Sequence, residues 1–180
     1  MKHKTWLSGV IVLSVLLSGC GNGKAEMEPV STSQETNAND SNNEHSGHDH
    51  TVLANGDIQE KTQSPKELPA FLDGHSEEMR KIYLLSAQYA DVLEFIPCYC
   101  GCGESAGHKS NLNCFIKEIE ADGAVVWDDH GTRCNVCLDI AVSSAKMAHD
   151  GSSVLEIREA MDSAYKQGYA KPTPTPMPEA

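Results

Sequence analysis

The chain has 180 residues, with 14 Lys+Arg against 26 Asp+Glu, a formal charge of −12 and seven cysteines. That acidity, with no basic stripe interleaved with aromatics, argues against nucleic acid as a partner. No serine-nucleophile motif, phosphate loop or paired acid/base arrangement is found, so the sequence is not read as an enzyme, with thiol–disulfide exchange the one enzymatic alternative.

The first stretch predicts export. Lys2, His3 and Lys4 form a basic region, followed by an apolar run over 6–17 that is broken only by Ser8, Gly9 and Ser14. This run is shorter than the roughly 20 apolar residues a spanning helix needs, and it reads as a signal segment over 1–19. It closes on Leu17-Ser18-Gly19-Cys20, which resembles a bacterial lipobox. The expectation is a lipid on Cys20 and a mature protein held at the extracytoplasmic face of the cell membrane. Loss of Lys2 and Lys4 would leave 12 cationic residues against 26 acidic ones, so membrane attachment must come from the lipid rather than from charge.

From 20 to 66 the chain is rich in Ser, Asn, Gln, Glu, Gly and Thr, with few aliphatics and no aromatics. Such a composition buries too little apolar surface to offset ordering entropy, and predicts a disordered tether. As a flexible coil of about 45 residues it would reach roughly 35–40 Å. Within it, His45, His48 and His50 read either as a metal-collecting arm or as polar linker residues.

The stretch 67–168 reads as one small domain. Ser76 is placed to cap a helix over 76–95, with Glu77 and Glu78 in its first turn and Ile82, Leu85, Tyr89, Val92 and Ile96 on one face. Pro97 stops it. Over 111–127 helical periodicity competes with a hairpin signal at Asp122-Gly123, and the hairpin is favoured. Thr132 is expected to cap a helix carrying Val136, Ile140, Ala141, Ser144 and Met147, and Ser153 with Glu156 forms a capping box for a last helix ending near Gly168. Proline-rich 169–180 reads as a disordered, extended tail. The expected fold is mainly α: a small helical domain with a short β-hairpin or extended segment around a Cys/His-rich loop cluster.

The chemistry concentrates in Pro97-Cys98-Tyr99-Cys100-Gly101-Cys102-Gly103. In an extended segment alternate side chains share a side, so Cys98, Cys100 and Cys102 are expected to present three sulfurs together, with Tyr99 opposite. His108, Cys114, His130, Cys134 and Cys137 follow, which makes eight candidate ligands. Eight donors would fill two closed tetrahedral zinc sites, and Cys134 with Cys137 has chelating spacing. Closely spaced thiolates also suit bridged copper(I). Asp128 and Asp129 are candidates to orient His130.

Two other chemistries stay open. In an exported chain six cysteines could pair as disulfides, with fifteen connectivities possible, although that would leave the histidines without a role. Cys134 and Cys137 in a first helical turn could instead form a redox pair, although no βαβ pattern flanks them. The residues therefore favour a copper(I)- or zinc-binding carrier, sensor or structural site, with a protein partner unspecified.

Pro97-Cys98-Tyr99-Cys100-Gly101-Cys102 resembles the signature of the bacterial PCYCGC-motif lipoproteins, a group with no established activity. The resemblance extends through Gly107-His108-Lys109, Cys114, Trp127-Asp128-Asp129-His130 and Cys134-Asn135-Val136-Cys137. It implies an exported, lipid-anchored protein and supplies no function.

Overall fold

The computed structural model describes residues 50–179. The signal segment, Cys20, His45 and His48 lie outside the described residues. Within them the fold is mixed α/β rather than mainly α. Strands β1 (His50–Val52), β2 (Ile58–Thr62), β3 (Ile116–Ile119) and β4 (Val125–Asp128) form an antiparallel sheet in the order β1-β2-β4-β3. Helices α1 (Glu77–Gln88), α2 (Ala90–Leu93), α3 (Gly103–Ala106), α4 (Asn135–His149) and α5 (Val154–Ala164) complete it. Helix α4 is the hub and packs against α1, α2 and α5.

The extra strands come from the stretch expected to be tether. Asn55-Gly56 turns the chain between β1 and β2, with Gly56 at φ 84°, which a side chain would resist. In β2 the inward positions are Glu60 and Thr62, both polar, so the usual apolar alternation is missing. Each is satisfied: the Glu60 carboxylate accepts the N–H groups of Ala70 and Phe71, and Thr62 Oγ1 accepts from Trp127 Nε1 at 2.8 Å. The partner of β2 is β4, with Gln59 opposite Asp128 and Thr62 opposite Val125.

The expected hairpin is formed by β3 and β4. Gly123, at φ 90°, donates its N–H to the Glu120 carbonyl, and Asp122 Oδ1 accepts from Ala124 N. The start of that stretch forms a single 3-10 turn, Asn111–Cys114, closed by a Ser110/Asn113 capping box. The helix expected over 76–95 breaks at Tyr89 into α1 and α2, and Ser76 caps α1 by accepting from Met79 N. Thr132 does not cap α4; its hydroxyl donates to the Asp129 carbonyl inside a 3-10 turn, Asp129–Arg133, and Cys134 occupies the cap position. The Ser153/Glu156 box opens α5 as expected.

The core joins sheet to helices through aromatics. Tyr83 of α1, Phe115 and Trp127 of β4 are fully buried, with Tyr83 ring centroids 5.3 Å from Phe115 and 6.1 Å from Trp127. Tyr83 Oη donates to the Asp128 carbonyl at 2.9 Å, so its polar end is not stranded. The C-terminal stretch is a strap rather than a free tail. Ala170 N donates to Tyr99 O, Thr173 N to Cys98 O, and Thr173 Oγ1 accepts from Cys98 N at 2.9 Å. Arg158 of α5 pins it, donating from one Nη to the carbonyls of Phe95 and Pro176.

Gly131 sits where the turn after β4 crosses the core. A Cβ there would lie 2.6 Å from the Phe115 ring and 2.8 Å from the Cys114 carbonyl oxygen. Gly131→Ala should therefore destabilise the reduced protein by about 1–3 kcal/mol, measured by urea unfolding under reductant.

Candidate functional site

Three turns and one helix end bring the site together. Pro97 follows fully buried Ile96 and starts an extended loop. The loop behaves as alternation requires. Cys98 Sγ and Cys100 Sγ lie 3.0 Å apart, while Tyr99 turns the other way, donates its hydroxyl to Asp162 of α5 and stacks on Tyr165 at 5.3 Å. Gly101, at φ 85°, turns the loop, and the Cys102 N–H points at Cys100 Sγ.

Cys114 comes from the 3-10 turn before β3. Its sulfur is 3.0 Å from Cys137 Sγ, 3.8 Å from Cys98 Sγ and 3.5 Å from His108 Nδ1. Cys137, in the first turn of α4, is 3.3 Å from Cys98 Sγ. Three thiol-bearing ligand sets each gather within 4.8 Å: Cys98, Cys114 and Cys137; Cys100, Cys134 and Cys137; and Cys100, Cys102 and His130. The His108 and His130 rings meet edge to face at 4.7 Å. All eight residues expected from the sequence thus fall in one connected cluster, with its six cysteines unbridged. His75 and His149 are exposed at helix ends, and His50 lies in β1.

The residue that sequence reasoning missed is Asp57. It is buried, and its carboxylate takes His130 Nδ1 at 3.1 Å and the Arg133 guanidinium. This fixes the ring so that its other nitrogen is available to the thiols. Asp128 and Asp129 do not orient the ring: Asp128 accepts the His130 backbone N–H, and Asp129 accepts from Ile58 N and Arg133. The signal for Asp57 was present in Asn55-Gly56, a hairpin turn that draws the next residue out of a tether and into the fold.

Packing thiols this closely divides their proton affinities. Hydrogen bonds from Cys134 and Cys137 pull the Cys100 thiol down to about 4. Cys137, set among its neighbouring sulfurs, is pushed up, first by its contact with Cys100. Cys114 falls to about 7, first through its contact with Cys137, whereas burial lifts Cys102 to about 11. Cys100 and then Asp57 hold the His130 imidazolium up to about 9, and burial pushes His108 down. The arrangement offers thiolates beside an imidazolium: a donor set for soft or borderline cations and an activated sulfur.

The chain belongs to the PCYCGC family: the family model described as protein of unknown function with PCYCGC motif matches residues 10–178. Comparison with curated proteins and with solved structures gives no match.

A thiol is nucleophilic as its thiolate, so Cys100 should stay reactive well below the range of an ordinary cysteine. In reduced, metal-stripped protein, iodoacetamide should label Cys100 first at pH 6, with the rate falling only as pH drops through about 4. Cys134→Ala, which removes the principal donor to Cys100, should move that midpoint upward. Peptide mass spectrometry across a pH series reads both effects.

Proposed function

We propose that this PCYCGC protein binds a thiophilic metal, copper(I) or zinc, through Cys98, Cys100, Cys102, His108, Cys114, His130, Cys134 and Cys137, as a carrier, sensor or structural site. We further propose that it does so on an exported chain anchored at the extracytoplasmic membrane face by lipid on Cys20. The anchor rests on the sequence pattern over 1–20. No helix among the described residues is long and apolar enough to cross a membrane.

One observation carries the metal reading. Cys137 Sγ has Cys114 and Cys98 at 3.0 and 3.3 Å and shares a ligand set with Cys100 and Cys134. A disulfide uses each sulfur for a single partner. A sulfur ringed by four others is the geometry of a shared thiolate, which suits soft ions held in a cluster. The Asp57–His130 contact supports the same reading, since a carboxylate behind a ligating imidazole fixes its tautomer and raises its basicity.

A second reading is favoured by two close pairs, Cys98 with Cys100 and Cys114 with Cys137, each at 3.0 Å. Oxidation at these pairs would make the cluster a structural or exchangeable disulfide centre.

Anaerobically purified protein should carry copper or zinc by elemental analysis. Denatured without reductant, it should show six reactive thiols among residues 98–137; a count of none would establish bridges instead. Asp57→Asn should weaken metal affinity by about 10–100-fold in a chelator competition.

A further inference from the structure

Burial divides the cluster into two halves. Cys98, Cys114 and Cys137 are at most 1 % exposed. Cys100, Cys102, Cys134 and His130 are only partly buried and line an open groove of about 570 Å³ beside Tyr99 and Tyr169. Each half supplies a complete three-donor set within 4.8 Å, the inner from Cys98, Cys114 and Cys137 and the outer from Cys100, Cys102 and His130. The halves touch at the 3.0 Å Cys98–Cys100 contact, and Cys137 joins the inner set to Cys100 and Cys134.

This division has a kinetic meaning. A thiolate-held ion moves between proteins by ligand exchange, in which an incoming donor must approach the metal before the old bonds let go. Such a donor can reach an ion held from the groove. It cannot reach one held by three sulfurs closed off from solvent. The strap keeps the inner side closed, since Thr173 donates its N–H to the Cys98 carbonyl and accepts the Cys98 N–H on its Oγ1.

We infer that Cys100, Cys102, Cys134 and His130 form a transfer site that receives a thiophilic ion from, and yields it to, an external thiolate donor, while Cys98, Cys114 and Cys137 retain theirs. This rests on the metal-binding reading above. In each exchange one bond from the external sulfur to the metal forms as one cysteine–metal bond breaks. The external sulfur enters as a thiolate and the displaced cysteine leaves as one, so the exchange needs no proton transfer. No electron moves, and the ion keeps its charge.

The test loads the full chain anaerobically with copper(I), challenges it with excess dithiothreitol, and follows retained copper by gel filtration and elemental analysis. The expected release has two phases. Combined Cys100→Ser, Cys102→Ser and Cys134→Ser should lower the copper bound at saturation and abolish the fast phase, leaving the slow one. Native mass spectrometry of the unaltered protein gives a readout independent of the variant's folding: a partly loaded species should accumulate during the challenge. Release in a single phase, direct passage from fully loaded to empty, or a fast phase that survives in a folded triple variant would overturn the transfer site while leaving metal binding intact. Failure of the unaltered protein to take up copper(I) at all would overturn both.

Discussion

The position of one sulfur governs the rest of this structure. Cys137 stands in the first turn of α4, where the extended cysteine loop, the 3-10 turn ending at Cys114 and the cap residue Cys134 all arrive. The axis of α4 is fixed by packing against α1, α2 and α5, so the hydrophobic core sets where that sulfur lies. A cluster whose donors come from separate turns needs each turn locked by its own contacts. Phe115 and Trp127 lock two of them from within the core, and Thr173 locks the third from the strap.

Around the sulfurs the fold buries charge with care. Asp57, Asp128, Asp129 and Glu60 are all nearly inaccessible, which is costly unless donors surround them. Backbone N–H groups, His130, Arg133 and Gln59 supply those donors. The result is an acidic wall behind His130, and it ties β2, the end of β4 and the turn that follows into one unit.

Much of the candidate site could be read from residue order, and less of the fold. The alternation of Cys98, Cys100 and Cys102 with Tyr99 is a local property of extended backbone, and the structure keeps it. The Asp122-Gly123 hairpin and the Ser153 box are equally local. What escaped depends on distant partners. Strand β2 looks like linker because Glu60 and Thr62 occupy inward positions, and their donors, Ala70, Phe71 and Trp127, lie elsewhere in the chain. Asp57 was hidden for the same reason. The strap looks like free polyproline because Thr173 and Thr175 have no periodic signal; their burial comes from Cys98, Lys109 and Arg158.

The strap also imposes an order of assembly. Its anchor points, Ala170 and Thr173, come after the last cysteine of the cluster, yet they grip the loop that bears the first. During synthesis the hydrophobic core can close around α1 and α4 while the sulfur-bearing loop still lacks its last backbone partners. The loop that bears Cys98 thus gains these partners only after all six cysteines of the cluster have been made, because residues 170–173 follow Cys137 in the chain.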